Sequence, residues 1–443
     1  MLDIKFIREN PEKVKEGIAH KGVKIDIAHL LLVDEKRRAL IQEVDLLRAA
    51  HNTASEVIAK LSGQERDARI QEVKKQKLDL GAKEFERQTV EEEFVTLMRG
   101  LPNLPLETVP VGKDERENVV LRESGKKQNF GFAPQDYVAL GEKLDLIDTA
   151  RAAKVSGSRF GYLKHEGPLF EFALVQMAID FVRDEKNIKR IIKEKKLSIA
   201  PKAFIPVVPP VLVKPEVMRA MGYTERGEDE IYFLPKDNLY LVGTSEQSVG
   251  PMHMDEVFEE KSLPHRHISF STCFRREAGT YGKDTKGILR VHQFDKVEMF
   301  VFSTPEDSRQ EHELLLGIEE KLMELLGLPY RVVNICTGDL GDPAAAKYDI
   351  EAWLPGQNNG AGEYRETHST SNTTDFQSRR LNIKVRRTGG KPEFLHMLNG
   401  TAFAIGRTLI AIMENYQQKD GTIKVPKALQ KYMGGIKKII SKS

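Results

Sequence analysis

The stretch CFRREAGTYGKDTKGILRVHQFDKVE, from Cys273 to Glu298, carries charged residues on both sides of a segment that contains Gly and Lys. Apolar and polar side chains alternate over residues 267–277, a pattern that predicts a β-strand. Residues 288–302 predict a second strand, and the polar segment 278–287 between them predicts a long turn. The stretch therefore predicts an antiparallel hairpin.

The side chains of this hairpin indicate a site for an elongated, charged ligand. At ~3.3 Å per residue, Phe294 and Glu298 on one face of the second strand are roughly 13 Å apart. The aromatic ring suits one end of such a ligand, the carboxylate suits an ammonium at the other, and Arg275 suits an anion between them. The Gly-Lys pair is not a phosphate-binding loop, because Asp284 follows where that motif needs Ser or Thr. A surface ribbon with cross-strand charge pairs is the alternative for the hairpin alone.

Composition places the chain among ordinary globular proteins. It has 443 residues with 40% hydrophobic and 30% charged residues, and its formal net charge is +2, so any basic patch must be local. The two cysteines exclude a disulfide framework and a four-cysteine zinc site, and they favour a reducing compartment. The charged N-terminus does not resemble a secretory signal, and no apolar run approaches the ~18 residues of a membrane span.

The N-terminal part predicts a long helical hairpin. Apolar residues follow a heptad spacing over 33–61 and again over 73–101, with a break at Ser62-Gly63 and an end at Pro102. The short turn requires antiparallel helices, and ~30 residues make an arm roughly 45 Å long. The pattern leaves two interpretations open: a dimerisation or spacer element, and an arm that reaches a large partner.

The remaining chain predicts a second domain of class α+β. Strand patterns occur without regular βαβ alternation, which favours an antiparallel sheet with helices packed on it. We expect a domain at 1–103 with a coiled-coil arm at about 33–100, a polar linker at 104–125, and a domain at 126–443.

Two further segments carry candidate ligand-binding residues. In YRETHSTSNTTDFQSRR, Glu366 and Ser369 offer oxygen ligands that suit Mg²⁺. Three residues apart on a regular strand they would face opposite sides, so a shared metal requires a bulge or a strand end. Further along, a helix is predicted at 402–417 with Arg407 near its second turn, where charge and helix dipole both favour an anion. A capped loop and an ordinary core helix are the plainer alternatives.

These three segments, in this order, resemble the three signature motifs of class II aminoacyl-tRNA synthetases and most closely the seryl-tRNA synthetase family. The stretches KVSGSRFGYL, PVVPP, GTSE and LNGTAFAIGRTL also resemble that family, so the similarity covers nearly the whole chain. It implies a class II antiparallel sheet flanked by helices and an ATP-dependent ligase that makes seryl-adenylate and transfers serine to the 3′ end of serine tRNA. Selenocysteine tRNA is a further substrate that the resemblance leaves open.

The resemblance also implies a role for individual residues. Arg275 and Arg407 would be catalytic, acting on the α- and γ-phosphates, and Glu366 and Ser369 would bind Mg²⁺. The residues expected at ATP are Arg275, Arg276, Glu277, Phe294, Glu366, Thr367, His368, Ser369 and Arg407. The residues expected at serine are Thr244, Ser245, Glu246, Arg275, Glu298, Asn399 and Thr401.

The resemblance further implies Mg²⁺ and no zinc, a homodimer with Pro209 or Pro210 at its interface, a cytoplasmic location, no membrane contact, and an arm that binds the long variable arm of tRNA. Two departures from the family are visible: a longer, basic segment at 184–204 that predicts an extra helix or loop, and Thr370 where cysteine is common. Two other functions stay open: an adenylate-forming enzyme that loads a different acceptor, and a non-catalytic RNA-binding relative.

Overall fold

The computed structural model describes residues 1–278 and 286–441, and the chain divides into two units, Met1–Pro102 and Asn103–Ser443. The larger part of the loop predicted at 278–287 lies outside the described residues.

The first unit consists of helices, as the heptad pattern predicts. Its elements are α1 Ile4–Glu9, α2 Pro11–His20, α3 Ile27–Ile58 and α4 Gly63–Gly100. The helices α3 and α4 are antiparallel, since residues early in α3 contact residues late in α4: His29 lies 3.0 Å from Glu93, and Lys36 lies 3.0 Å from Glu86. The buried seam includes Val33, Leu40, Val44, Val90, Phe94 and Met98. On α4 the heptad positions in the middle of the helix hold polar residues, so part of the surface of α4 remains polar.

The second unit combines helices and strands. Its helices are α5 Tyr137–Lys143, α6 Thr149–Ser156, α7 Glu166–Arg183, α8 Glu185–Lys195, α9 Pro215–Met221, α10 Glu246–Val249, α11 Ser308–Leu326, α12 Gln357–Gly360, α13 Phe376–Leu381, α14 Ile405–Tyr416 and α15 Lys427–Gln430. Its strands are β1 Val119–Ser124, β2 Ile147–Asp148, β3 Tyr162–Leu163, β4 Ile205–Val207, β5 Leu212–Val213, β6 Phe233–Leu234, β7 Leu239–Leu241, β8 Val257–Glu259, β9 His265–Phe274, β10 Gln293–Ser303, β11 Tyr330–Asn334, β12 Ala346–Leu354, β13 Glu363–Asn372, β14 Lys384–Arg386, β15 Glu393–Phe394, β16 His396–Ala404, β17 Ile423–Lys424 and β18 Lys438–Ile439.

An eight-stranded sheet forms the centre of this unit. The strand order is β1-β11-β12-β13-β16-β10-β9-β4, and neighbours are antiparallel apart from β4 and β9, which run parallel. The predicted hairpin is β9 with β10, in the register Gln293↔Phe274. Apolar residues of α7, α11 and α14 form one core with the sheet. The α+β class and the antiparallel sheet flanked by helices are confirmed.

Three local expectations differ from the structure or are refined by it. The segment expected as a linker at 104–125 belongs to the second unit, because β1 pairs with β11 and Val109 belongs to the same buried apolar cluster as Val333. The helix predicted at 402–417 begins at Ile405, because the apolar run before it continues strand β16. The segment at 184–204 forms the extra helix α8. In the described part of the chain, no helix has the length and apolar character that crossing a bilayer requires.

Candidate active site

A cavity of about 720 Å³ lies against the central sheet and collects most of the residues that the sequence singles out. Its walls come from β9, β10, β12, β13 and β16, from the segment before α10, and from the start of α14. The expected site residues that line it are Thr244, Glu246, Arg275, Glu277, Phe294, Glu298, Glu366, Thr367, Ser369, Asn399, Thr401 and Arg407. The structure therefore brings the three sequence segments together around one space.

Glu298 is a buried carboxylate at one end of this cavity, and its position follows from the alternation of β10. One oxygen, Oε2, accepts hydrogen bonds from the Thr244 hydroxyl at 2.5 Å, the Ser245 hydroxyl at 2.8 Å and the Glu246 N–H at 3.0 Å. Its side chain is 3% exposed. These donors come from the turn before α10 and from its first residue, so this turn and strand β10 together define the pocket.

Lys296 is a functional candidate whose role the sequence does not reveal. Its ammonium lies 2.7 Å from Glu298 Oε1 and also donates to the Thr244 hydroxyl. Burial opposes the ionisation of Glu298, but the Lys296 ammonium and the hydroxyl donors lower the pKa of Glu298 below its ordinary value. Strand alternation places Lys296 on the same face as Glu298, yet it does not disclose that the two form a buried ion pair.

Glu246 supplies a second carboxyl group to this end of the cavity. Burial, strengthened by repulsion from the Glu298 carboxylate, raises the pKa of Glu246 to about 8. Glu246 therefore carries its proton at neutral pH until a cation approaches. Ser245 lies behind it, fully buried, and bonds Ser269 as well as Glu298, so it supports the pocket without lining it.

At the other end of the cavity, the hairpin of β9 and β10 places an aromatic ring beside cationic and anionic side chains. The Arg275 guanidinium carbon lies 5.3 Å from the Phe294 ring centroid, and its Nε donates to the Gly243 carbonyl at 3.2 Å. Glu277 has a positive φ of 52°, which ends the extended run after β9, and its carboxylate lies 3.2 Å from Arg290. A cation, a ring face and a carboxylate in this order can contact a nucleotide.

Two of the expected ATP-binding residues do not line the cavity. Arg276 donates its backbone N–H to the Glu230 carbonyl, and its guanidinium lies 5.7 Å from the Tyr232 ring centroid. His368 is 1% exposed, contacts the Thr367 hydroxyl, and packs edge-on against Phe403 in the core.

Glu366 and Ser369 share a face because strand β13 contains a bulge. His368 pairs with Ile350 and Glu366 pairs with Glu351, so Thr367 is an extra residue in the ladder. This is the irregularity that a shared metal site requires. Arg407, in the first turn of α14 rather than the second, lies 3.1 Å from the Glu366 carboxylate and donates to its carbonyl at 3.0 Å.

The charges around Glu366 keep it ionised. Enclosure by the cavity walls opposes ionisation, but Arg407, Lys347 and Arg275 lower the pKa of Glu366 to about 2. The neighbouring Asp349 pairs with Ser369 across the strands and has a buried Oδ1 without a hydrogen-bond partner. Burial raises the pKa of Asp349 to about 7, although its ion pair with Lys347 at 3.2 Å opposes this change.

These oxygens fit a magnesium ion. Carboxylate and hydroxyl oxygens on one face are the donors that Mg²⁺ prefers, and Mg²⁺ uses only one or two protein carboxylates beside phosphate and water ligands. The unpartnered Asp349 Oδ1 adds an acceptor beside Ser369 that the sequence reading missed. The sequence does contain an indication of Asp349, because the alternation of β12 places Lys347, Asp349 and Glu351 on one face.

Comparisons with known proteins agree with this geometry. The family described as "Seryl-tRNA synthetase N-terminal domain" matches residues 1–105, and the family described as "tRNA synthetase class II core domain (G, H, P, S and T)" matches residues 232–416. The serine--tRNA ligase of Dictyoglomus turgidum is 45% identical over 440 residues, which cover 98% of this chain and 98% of the relative. The chain belongs to the seryl-tRNA synthetase family.

Solved structures extend this assignment within the seryl-tRNA synthetase family. The structure described as seryl-tRNA synthetase from Pyrococcus horikoshii complexed with ATP is 40% identical, with a TM-score of 0.86 and 100% coverage of both chains. The structure described as cytoplasmic serine-tRNA ligase from Naegleria fowleri in complex with AMP is 34% identical, with a TM-score of 0.81, and covers 100% of this chain and 99% of that one. The long helical arm and the class II sheet are therefore features that this chain shares with its family.

Proposed function

We propose that this chain activates serine with ATP and transfers it to the 3′ end of serine tRNA. The observation that carries the proposal is the convergence on Glu298, where three hydrogen-bond donors and Lys296 surround one buried carboxylate in a cavity. Serine presents an ammonium and a hydroxyl, and the carboxyl groups of Glu298 and Glu246 are acceptors for both. Thr401, which pairs with Glu298 across β10 and β16, adds a hydroxyl group to the same pocket.

We further propose that ATP occupies the opposite end. Phe294 provides a face for adenine, Glu277 accepts from its amino group, and Arg275 neutralises the α-phosphate and the serine carboxylate. Arg407, at the start of α14, contacts the γ-phosphate, where charge and helix dipole act together. Thr244, Ser245, Glu246 and Asn399 complete the serine side.

The reaction consists of two displacements. A serine carboxylate oxygen attacks the α-phosphorus in line, forming a carboxylate–phosphate bond while the bond to pyrophosphate breaks. A ribose hydroxyl of the tRNA then attacks the acyl carbon and forms an ester bond, while the bond from this carbon to the phosphate oxygen breaks and AMP departs with the hydroxyl proton accepted by a phosphate oxygen. Catalysis arises from positioning and from neutralisation of charge by Arg275 and Arg407.

Glu366 and Ser369, with Asp349 beside them, are the residues that would bind Mg²⁺. When bound there, the ion supplies positive charge to the phosphate oxygens and orients them. The chemistry in this cavity uses no zinc.

The partners follow from the same proposal. Residues 1–103 bind serine tRNA, with the arm at about 33–100 contacting its long variable arm, and residues 126–443 catalyse the reaction. Exposed basic side chains on α4, among them Arg66, Lys74 and Lys77, support this role. Exposed Ile205, Val208 and Leu212 support a homodimer interface next to Pro209-Pro210. The cytoplasm, where its tRNA is charged, is the proposed location.

The proposal is tested by two assays on the full chain. We expect serine, and not alanine, glycine or threonine, to drive exchange of pyrophosphate into ATP. Alanine and glycine would leave unpaired the buried groups that the serine hydroxyl satisfies, and the size of the pocket excludes threonine. We also expect charging of serine tRNA. Exchange without charging would favour the enzyme that loads another acceptor, and no exchange with any amino acid would favour the non-catalytic relative.

A further inference from the structure

Three histidines lie together at the start of β9, in a cluster separate from the residues that line the cavity. His265 and His267 are two residues apart on this strand, so their side chains project from the same face. His253 ends the short 3₁₀ helix Gly250–His253. One ring nitrogen of each histidine lies within 4.8 Å of those of the other two.

The cluster contains buried polar atoms that the protein does not satisfy. His267 is 4% exposed, and neither of its ring nitrogens has a hydrogen-bond partner. The Nε2 atom of His253 is also buried without a partner. A buried polar atom without a hydrogen-bond partner is energetically unfavourable, so three such atoms at one place require a physical explanation.

Glu256 orients one of the imidazoles. Its carboxylate lies 2.8 Å from His253 Nδ1, a distance at which Nδ1–H donates to the carboxylate. That tautomer leaves the lone pair on Nε2, which is the unpartnered nitrogen of His253. A carboxylate behind a histidine in this manner is the usual outer partner of a metal-binding imidazole.

Aromatic packing is the competing explanation for the cluster. The Phe258 ring centroid lies 4.7 Å from that of His265, and the Phe302 centroid lies 5.2 Å from that of His253. Three imidazoles can pack in such surroundings as simple rings. Packing alone, however, leaves both nitrogens of His267 and Nε2 of His253 without partners, whereas a metal ion would be bound by one nitrogen of each of these residues.

We propose that His253, His265 and His267 bind a divalent transition-metal ion such as Zn²⁺ or Co²⁺. Three imidazoles suit these ions, and water can take the fourth tetrahedral position. Nitrogens around Zn²⁺ are about 3.4 Å apart, so side chains with separations of up to 4.8 Å must rotate inward by about an ångström. The cysteine count excludes a four-cysteine zinc site only and does not bear on a histidine site, so this proposal departs from the absence of zinc that the family resemblance implies.

The surrounding charges permit this ion. The Lys202 ammonium is close to His265, but it is bonded to the carbonyls of Ser262 and Leu263 at 2.6 and 2.9 Å, and the Glu256 carboxylate beside His253 supplies a negative charge to the cluster. The ion would connect β9 to the helix Gly250–His253, which follows the turn that carries Thr244 and Ser245.

The test uses the full chain without a histidine tag, stripped with a chelator and titrated with Co²⁺. We expect visible bands of tetrahedral nitrogen and oxygen coordination without thiolate charge transfer, at one ion per chain, and their loss on addition of Zn²⁺. The variants His253→Phe and His267→Phe should lose the bands. The control Phe258→Leu alters the packing but keeps the three imidazoles, and it should retain them.

A second variant tests the site without removing a ligand. Glu256→Gln should weaken Co²⁺ affinity about 10- to 100-fold, because the orienting carboxylate is lost. The proposal is wrong if the original chain shows no tetrahedral bands, since the cluster is then aromatic packing only. It is equally wrong if both histidine variants keep the bands, or if Glu256→Gln binds Co²⁺ as tightly as the original chain.

Discussion

Replacing Glu298 by Gln tests the proposed serine pocket, because the change keeps the shape of the side chain and removes its charge. Glu298 accepts three hydrogen bonds at Oε2 and an ammonium at Oε1. An amide cannot serve both: one orientation sets its NH₂ against Lys296, and the other sets it against three donors. Every orientation therefore disrupts contacts in the pocket and weakens attraction for a substrate ammonium.

The expected magnitude follows from the kind of contact that is lost. A hydrogen bond to a charged group contributes about 1.5–3 kcal/mol, which corresponds to a factor of about 10 to 150. We expect kcat/KM for serine to fall by about this factor in pyrophosphate exchange, while the KM for ATP changes less than about threefold. The nucleotide end of the cavity, at Phe294, keeps its contacts.

Glu311→Gln is the matched control for this experiment. Glu311 forms an ion pair with Arg266 through two hydrogen bonds of 2.9 and 2.6 Å, and both side chains are fully buried. Both variants break a buried ion pair and should unfold at lower urea concentration than the original chain. Only Glu298→Gln should alter the KM for serine. Equal effects on serine and ATP, or the same kinetic change in Glu311→Gln, would refute the assignment of Glu298 to the serine pocket.

Three further predictions concern the arm and the charges of the cavity. Deleting residues 34–99 should leave serine-dependent exchange within about twofold and abolish tRNA charging; an equal loss of exchange would make the arm a folding element. The pKa of Glu246 is raised to about 8, so its ionisation in the fold is unfavourable and stability falls as pH rises from about 4.5 through 8. In urea titrations Glu246→Gln should lose this part of the pH dependence, and an unchanged slope would contradict the raised pKa. Arg407→Ala should raise the KM for ATP at least tenfold, because a charged contact to phosphate is lost, with a smaller effect on serine; a predominant effect on serine would contradict the role of Arg407.

Much of the fold follows from periodicity. The alternation around Arg275 and Glu298 predicts the hairpin of β9 and β10, and the heptads predict the antiparallel pair of α3 and α4, because each pattern extends over many residues. The bulge at Thr367 could be anticipated, since Glu366 and Ser369 can share a face only if the strand is irregular.

Other features depend on tertiary contacts that no local pattern encodes. Lys296 lies on the predicted face, but its ion pair with Glu298 depends on burial by neighbouring elements. The predicted start of α14 is too early because the apolar residues at 402–404 suit a buried strand and a buried helix equally well. His368 lies in the core because the bulge determines which residues face the cavity, and the residue types alone do not.

The bulge on β13 has a consequence for how this chemistry is recognised in other sequences. Because Thr367 is the extra residue in the ladder, Glu366 and Ser369 have the geometry of residues two apart, although three positions separate them. A regular strand would present the same two oxygens with the spacing Glu-x-Ser. A single-codon deletion at Thr367 would thus keep both side chains on their face, whereas one between Thr370 and Asn372 would turn the rest of the strand over. Among related sequences, a deletion in this strand is therefore expected to be tolerated at Thr367. A search for the motif needs to allow both Glu-x-x-Ser and Glu-x-Ser.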